Sequence, residues 1–254
     1  MLIQYASDLH LEFPQNKEFL KSNPLQKAVE ILLLAGDIVP FAIMDKHADF
    51  FNYVSDHFKV TYWVPGNHEY YYFDAATKSG VLNEKIRSNV FLVNNISVQQ
   101  ENVRLLLSTL WSKISPANQW NVQQNLSDFQ VIKYKDGPFS PAHFNQLHED
   151  CLSFIQKELK QLHAGKTVVA THHVPTFMNY PEKYKADALN EAFAVELFDL
   201  IETQGPDYWI YGHHHHNTPQ FTIGKTQLIT NQLGYVKYGE HQNFSPNAVI
   251  KING

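Results

Sequence analysis

The segment ILLLAGDIV, residues 31–39, carries the pattern that decides the fold. Its first four residues are continuously apolar, which is typical of a strand that is covered on both faces, whereas a half-exposed antiparallel strand alternates. After Ala35 come a glycine and an aspartate, so the apolar run ends in a turn that carries a carboxylate. The segment therefore predicts a central strand whose C-terminal end presents Asp37.

Four other segments share this layout, an apolar β-type run followed by a turn with Asp, Asn or His. They are LIQYASDLH (2–10), VTYWVPGNHE (60–69), TVVATHHVP (167–175) and YWIYGHHHH (208–216). In α/β folds, ligand sites gather in the loops beyond the carboxyl ends of the strands. We therefore expect all five polar clusters to meet at one edge of the fold.

Helical patterns alternate with these strands. Ser140 can cap a helix that has Pro141 in its first turn and an apolar stripe running to Leu162. A second helical pattern, around residues 193–201, should stop at Gly205 and Pro206. Further strands are expected within 90–95, 103–111 and 226–230, more than one small sheet needs. We predict an α/β fold of two packed sheets with helices outside, in a single domain over residues 1–254.

Composition narrows the class of protein. The chain is 44% hydrophobic, which is ample for a packed core, and its net charge of -5 gives no sign of a basic face for a polyanion. A single cysteine excludes an intramolecular disulfide framework and a Cys-based zinc site. Because we see no basic leader and no apolar run of about 18 residues, we expect an unprocessed cytoplasmic protein without a membrane span.

Two polar stretches with scattered aromatics, residues 111–140 and 176–190, are expected to be surface excursions that can wall a substrate cleft. The aromatic side chains near the motifs leave two interpretations open, an apolar lip for an organic group or ordinary packing. These side chains are Tyr70, Tyr71, Tyr72, Trp111 and Tyr180.

Each polar cluster alone favours a structural explanation, such as a turn or a buried histidine whose ring nitrogens are hydrogen-bonded. Together they supply many oxygen and nitrogen donors without sulfur, a set that suits Mn, Fe or Zn. Without cations, so many carboxylates and imidazoles at one sheet edge would repel one another or be buried without partners. The sequence therefore predicts two bound metal ions, and the run of four histidines, which follows a strand well inside the chain, is neither an expression tag nor a metal-scavenging tract.

The motifs SDLH, GDI, GNHE, THH and GHHH, in this order, resemble the calcineurin-like metallophosphoesterases, whose pattern is DxH, GD, GNH[ED], H and GHxH. The resemblance runs from residue 8 to 215 and implies a two-sheet β-sandwich flanked by helices. It also implies two divalent or trivalent ions, one held by Asp8, His10 and His215, the other by Asn67, His172 and His213, with Asp37 bridging both. The segments STLW, LNEAFA and TNQLGY additionally resemble a bacterial branch of this superfamily.

The alternate spacing of the ligands suggests how the chain presents them. In an extended chain, residues two apart face the same side, so Asp8 and His10 can face one ion. The same argument turns His213 and His215 toward the site and sends His214 and His216 elsewhere. By the resemblance, His172 is the ligand and its neighbour His173 at most a residue of the cleft wall.

The expected chemistry follows from two cations about 3.5–4 Å apart, which activate a bridging hydroxide for in-line attack on phosphorus. His68 is placed to protonate the leaving oxygen, and Asn67 can also contact the phosphate. The phosphoprotein phosphatases of the superfamily read GDxVDRG and RGNHE, whereas this chain has GDIVPFA and PGNHE. Pro40 thus stands where that branch has the aspartate that orients the histidine, which argues against protein phosphatase activity and leaves the partner of His68 unidentified.

The sequence therefore predicts a metal-dependent phosphoric ester hydrolase acting on a small phosphomonoester or phosphodiester. A nuclease is an alternative that would need a basic groove beside the metals, and the charge balance does not favour it. A non-catalytic scaffold is a second alternative, but it should have lost ligands and none is lost here. The metals, the choice between monoester and diester, the organic group and the oligomeric state are left open.

Overall fold

The structure, a computed structural model, describes residues 1–184 and 187–252. Its α-helices are α1 (Pro14–Ser22), α2 (Ala48–His57), α3 (Gln119–Asn125), α4 (Asp128–Val131), α5 (Pro141–Leu159) and α6 (Phe198–Gln204). Its strands are β1 (Leu2–Ala6), β2 (Ile31–Ala35), β3 (Val60–Val64), β4 (Leu82–Arg87), β5 (Val90–Asn94), β6 (Ile96–Gln100), β7 (Val103–Leu107), β8 (Lys133–Tyr134), β9 (Gly137–Pro138), β10 (Lys166–Ala170), β11 (Tyr208–Tyr211), β12 (Phe221–Ile223), β13 (Thr226–Thr230) and β14 (Val249–Lys251).

Twelve of these strands form two six-stranded sheets, in the orders β14-β1-β2-β3-β5-β4 and β12-β13-β11-β10-β7-β6. The four central strands of each sheet are parallel, and the edge strands are antiparallel. The predicted α/β fold of two sheets flanked by helices is therefore confirmed. Because β1, β2, β3, β10 and β11 are central parallel strands, their carboxyl ends deliver all five motifs to one edge of the fold.

The continuous apolar run of β2 is explained by burial on both of its faces. Ile31 and Leu33 pack into the core between the two sheets, together with Leu105 and Val168 of the second sheet. Leu32 and Leu34 belong to the other core cluster, which includes apolar side chains of the flanking helices. Burying each such side chain stabilises the fold by about 1.5–3 kcal/mol. This double burial holds the end of β2, and with it Asp37, in a fixed place.

Helix α5 begins as predicted but ends earlier. The Ser140 hydroxyl accepts a hydrogen bond from the backbone N–H of His143, and Pro141 occupies the first turn. The helix ends at Leu159, so the apolar stripe does not extend to Leu162, whose side chain is fully exposed in the following turn. Helix α6 is also shorter than expected and begins at Phe198.

Among residues 1–184 and 187–252, no helix combines the length and the hydropathy that a lipid bilayer would require of a spanning segment. A single domain over residues 1–254 stays a prediction, supported by the apolar core that both sheets share. The cytoplasmic location also stays a prediction.

Candidate metal centre

Hydrogen bonds donated by backbone N–H groups join the motif loops of both sheets at this edge. The N–H of Asp8 donates to the carbonyl of Gly36, and the N–H of His10 donates to that of Asp37, both at 2.9 Å. Across the sheets, the N–H of His213 donates to Oδ1 of Asp8 at 3.0 Å. The loops after β1, β2 and β11 are thus held against one another by hydrogen bonds.

One cluster of possible ligands brings together the predicted first metal set. The ligand atoms of Asp8, His10, Asp37 and His215 all lie within 4.8 Å of one another. Nε2 of His10 lies 2.9 Å from Nε2 of His215 and 3.7 Å from Oδ2 of Asp37. Nε2 of His215 lies 3.4 Å from Oδ1 of Asp8. The structure therefore brings together the side chains that were predicted to contact the first ion.

A second cluster is formed by Asp37, His172 and His213. Nε2 of His172 lies 3.3 Å from Oδ1 of Asp37 and 3.0 Å from Nδ1 of His213. The amide oxygen of Asn67 lies 3.2 Å from the same nitrogen of His172. The two oxygens of Asp37 thus face different clusters, an arrangement that a bridging carboxylate requires.

The donor set fits two metal ions. Imidazole nitrogens face one another in both clusters, and their lone pairs repel unless a proton or a cation lies between them. Glycines leave the room for this convergence, since a Cβ on Gly66 would lie 2.2 Å from Oδ1 of Asp37, and one on Gly36 would lie 2.2 Å from Nδ1 of His172. Imidazole and carboxylate donors of this kind suit Mn, Fe or Zn.

The backbone presents these ligands differently from the prediction. Strands β1 and β11 end before the predicted ligands. Five of the predicted ligands adopt positive φ angles, namely Asp8 (56°), His10 (48°), Asp37 (56°), His213 (79°) and His215 (48°). The expectation of an extended chain with period two is therefore wrong. Residues in the left-handed region, each at a cost of about 1–3 kcal/mol, turn alternate side chains inward, so the predicted grouping of the side chains still holds.

The other histidines of the run lie outside both clusters, as expected. His214 is buried beside Tyr211, and its Nδ1 accepts a hydrogen bond from Nε2 of Gln232 at 2.8 Å. His216 is exposed. His173 is fully buried, with its ring 4.2 Å from that of His213, so it packs behind a candidate ligand.

His68 lies beside the first cluster and forms a further group of possible ligands with His10 and Glu12. Its Nδ1 lies 2.9 Å from Oε1 of Glu12, and its ring stacks on Tyr71 at 4.0 Å. Its Nε2 lies 3.4 Å from the Tyr235 hydroxyl. Burial opposes the charge of the imidazole, but the carboxylates of Asp37 and Glu12 outweigh it and raise the pKa of His68.

Glu12 is a site residue that the sequence reasoning missed. Its Oε1 also lies 3.0 Å from Nδ1 of His10. Burial opposes its charge, but the imidazoles of His10 and His68 lower the pKa of Glu12 to about 2. The only local signal was a glutamate two residues after the D-x-H motif.

Two further carboxylates orient predicted ligands and were also missed. Nδ1 of His215 donates to Oε2 of Glu240 at 2.8 Å, and Nδ2 of Asn67 donates to Oδ1 of Asp128 at 2.9 Å. Such outer contacts fix the orientation of a ligand and, for histidine, its tautomer. Burial opposes the imidazolium of His215, but Asp8 and Glu240 raise its pKa to about 10.

The buried side chain of Glu69 connects two motif loops through hydrogen bonds. Its carboxylate accepts hydrogen bonds from the backbone N–H groups of Asp37 (2.9 Å), Ile38 (2.7 Å) and Gly66 (2.6 Å). Nε1 of Trp63 donates to it as well, at 3.1 Å. This buried carboxylate therefore fixes the loop after β2 against the loop after β3.

The clusters open into a pocket of about 310 Å³. Both predicted excursions wall it, the first through residues 126–128 and the second through residues that include Tyr180, Tyr184 and Asn190. Among the aromatics left open by the sequence, Tyr71 and Tyr180 line the pocket. Tyr70 and Trp111 are buried in the core and Tyr72 is exposed away from the pocket, so packing or simple exposure explains those three.

Known proteins resemble this chain in sequence. The sequence model of the calcineurin-like phosphoesterase family matches residues 1–217. An uncharacterized protein of Acanthamoeba polyphaga mimivirus is 31% identical over 280 residues, covering 99% of this chain and 97% of that protein.

Two solved structures have a similar fold. A phosphopantetheinyl hydrolase from Mycobacterium tuberculosis matches with a TM-score of 0.71 at 16% identity, over 98% of this chain and 95% of that one. A dimetal phosphatase from Danio rerio matches with a TM-score of 0.51 at 16% identity, over 97% and 89% of the two chains. The family match, the fold and the two ligand clusters agree, and the chain belongs to the calcineurin-like phosphoesterase family of metal-dependent phosphoester hydrolases.

Proposed function

We propose that this protein is a dinuclear metal-dependent phosphoesterase that hydrolyses a small phosphomonoester or phosphodiester. The observation that carries the proposal is that two ligand clusters share Asp37 and open into one pocket of about 310 Å³. A single shared carboxylate favours two ions close together, an arrangement that can stabilise both the attacking and the leaving oxygen of an in-line displacement at phosphorus.

In this proposal Asp8, His10 and His215 hold one ion, and Asp37 contacts both. Asn67, His172 and His213 hold the other. Bound ions of Mn, Fe or Zn would activate a water for attack on phosphorus and neutralise the phosphoryl oxygens. The protein's own contribution is to fix the donors in advance, through the backbone hydrogen bonds and the buried carboxylate of Glu69 described above.

His68 acts as the general acid. Its Nε2 faces the pocket near the Tyr235 hydroxyl, while its Nδ1 is held by Glu12. A proton on Nε2 can therefore pass to the leaving oxygen as the bond to phosphorus breaks. Asn67, which also lines the pocket, contacts a phosphoryl oxygen.

The lining of the pocket favours a small substrate over a nucleic acid. No lysine or arginine lines it among residues 1–184 and 187–252, whereas the carboxylates of Asp187 and Glu240 do. A polyanion would meet repulsion there beyond the one phosphoryl group that the ions neutralise. Aromatic walls such as Tyr71, Tyr180 and Phe193 suit an organic group instead. A scaffold without activity is not favoured, because none of the predicted ligands is replaced.

The test is hydrolysis by protein that has been stripped of metal and reloaded with Mn, Fe or Zn. The substrates are phosphomonoesters, cyclic nucleotides, phospholipid headgroup esters and single- and double-stranded nucleic acid. We expect metal-dependent hydrolysis of at least one small ester, lost in the Asp37→Asn variant. Hydrolysis of nucleic acid alone would replace the proposal with a nuclease, and inactivity of fully loaded protein on all substrates would favour a scaffold.

A further inference from the structure

We propose that Glu12 is a positioning residue that fixes two histidines at once, the candidate metal ligand His10 and the candidate general acid His68. This inference rests on the proposed function of the site. It identifies the orienting carboxylate that the sequence motifs do not supply, since Pro40 occupies the position of the aspartate in the phosphoprotein phosphatases.

The geometry is that of one shared acceptor atom. Oε1 of Glu12 lies 3.0 Å from Nδ1 of His10 and 2.9 Å from Nδ1 of His68. The two imidazole rings meet edge to face, with centroids 4.5 Å apart. Only 12% of the Glu12 side chain is exposed, so water competes weakly for this oxygen and each hydrogen bond to the carboxylate is strong.

A shared acceptor dictates the tautomer of both rings. Because a carboxylate oxygen accepts and does not donate, both Nδ1 atoms carry hydrogen and both Nε2 atoms point away from Glu12. Nε2 of His10 then offers a lone pair toward the first cluster, 2.9 Å from Nε2 of His215. Nε2 of His68 is turned to the pocket, where it lies 3.4 Å from the Tyr235 hydroxyl.

The proton balance of the acid step is simple in this arrangement. Protonated His68 carries hydrogen on both nitrogens, and the Nε2 proton moves to the leaving oxygen, which takes the electron pair of the breaking P–O bond. In neutral His68 the hydrogen stays on Nδ1 and remains hydrogen-bonded to Glu12. Nε2 can then be protonated again by water. Glu12 remains a carboxylate throughout and touches no reacting atom.

Two contacts divide the task of holding His68. Tyr71 stacks on the ring at 4.0 Å with an interplanar angle of 24°, which fixes the plane of the imidazole. Glu12 selects one of the two orientations related by a 180° flip about the Cβ–Cγ bond, because only one of them brings Nδ1 to Oε1. Without Glu12 the ring could remain stacked while Nε2 turned away from the leaving group.

Glu240 provides a matched control. Its Oε2 holds Nδ1 of His215, a candidate ligand of the same ion, at 2.8 Å. No hydrogen bond joins it to His68 among the contacts of the described residues. Its Oε2 also accepts a hydrogen bond from the backbone N–H of Tyr235 at 2.6 Å. Removing Glu240 should therefore disturb the first metal site and the contact of Tyr235 with Nε2 of His68, while Glu12 still holds Nδ1 of His68 and thus its tautomer.

The first experiment is ¹⁵N NMR of histidine-labelled, zinc-loaded protein, and it does not depend on activity. In the wild type, near pH 9, we expect the His68 signal, identified by its loss in His68→Asn, to show hydrogen on Nδ1. In Glu12→Leu it should shift toward the Nε2–H tautomer, and in Glu240→Leu it should not change. Glu12→Gln keeps an acceptor oxygen and should retain the tautomer. An unchanged His68 tautomer in Glu12→Leu would overturn the proposal; if that variant does not fold, Glu12→Ala takes its place.

The second experiment measures kcat/KM over a leaving-group series at saturating metal. Glu12→Leu should lose about 10- to 100-fold on alkyl esters, as other outer contacts of metal sites do, and much less on nitrophenyl esters. Glu240→Leu should keep the wild-type dependence on leaving-group pKa once metal saturates. In a His68→Asn background, Glu12→Leu should not change this dependence further. Independent, additive effects of the two substitutions would show that Glu12 does not act through His68.

The two experiments separate the inference from the proposed function. If the wild type hydrolyses no phosphoester, the proposed function fails. The NMR experiment then decides by itself whether Glu12 sets the tautomer of His68. If hydrolysis occurs but the tautomer and the leaving-group dependence ignore Glu12, the function stands and the inference is wrong.

Discussion

The Nε2 atoms of His10 and His215 lie 2.9 Å apart, so a proton or a cation has to separate their lone pairs. The pKa of His215 is raised to about 10, and the Asp37 carboxylate, against the effect of burial, raises that of His172 to about 9. Without metal, both imidazoles are therefore protonated near pH 7. Metal ligands have to be deprotonated, so binding must release these protons.

We accordingly expect about two protons to be released when both ions bind at pH 7. The apparent metal affinity should rise with pH until it passes the two raised pKa values and then level off. Calorimetry in buffers with different ionisation enthalpies measures the release. A metal-binding enthalpy that is independent of the buffer at pH 7 would contradict the protonated state of these histidines.

The four adjacent histidines should separate into three classes on substitution by alanine. At His213 or His215 the change should sharply lower metal content and activity. At His214 metal content should stay near wild type, but loss of the buried contact with Gln232 should lower stability by about 1–3 kcal/mol. At exposed His216 neither should change. Elemental analysis and thermal unfolding test this, and equal metal loss at all four positions would restore the metal-scavenging interpretation.

Asp37→Asn should weaken both metal sites together, because its two oxygens face different clusters. The asparagine can still accept the hydrogen bond from the backbone N–H of His68, so the fold should survive. Asp207→Asn is a suitable control, since Asp207 orders a strand end away from the motifs. Loss of one ion with undiminished affinity for the other, measured by calorimetry, would make Asp37 a terminal ligand.

His68→Asn should retain both metals and lose activity according to the leaving group. An alkoxide is strongly basic and needs a proton, so alkyl esters should lose about 10²- to 10⁴-fold in rate. A nitrophenolate can leave unprotonated, so nitrophenyl esters should be much less affected. The measurement is kcat/KM over a leaving-group series after equal metal content has been verified. Parallel lines for the two proteins would mean that His68 does not protonate the leaving group.

Gly66→Ala should lower metal affinity, because the added Cβ would meet Oδ1 of Asp37 at 2.2 Å and the His172 ring at 2.7 Å. The substitution should displace these two side chains from the second cluster. Gly137→Ala is the matched control, since its nearest neighbour would lie at an ordinary 3.5 Å. Metal content of the purified variants tests the comparison, and full loading of Gly66→Ala would show that the cluster can move aside.

The strands and the clusters of candidate ligands could be predicted because each is marked by residues that are adjacent in the sequence. A continuous apolar run such as residues 31–34 identifies a doubly covered strand, and the polar residue after it marks the strand end. The extended conformation expected for Asp8-Leu9-His10 was wrong, since spacing does not distinguish a flat strand from alternating left-handed residues.

The supporting carboxylates could not be predicted, because each acts on a residue distant in the chain. Glu12 lies 56 residues from His68, and Asp128 lies 61 residues from Asn67. Each is one of many acidic residues, and only the packed fold reveals which ones reach the site. The end of α5 was missed for a related reason, since Leu162 continues the apolar spacing but lies beyond the last helical turn.

The pairing of His10 with His215 also bears on how the protein is made. These residues are separated by 205 positions, and each cluster takes donors from loops of both sheets. A chain emerging from the ribosome has therefore exposed nearly all of its first sheet before the last donors exist. Neither cluster can therefore be complete until the second sheet has docked on the first.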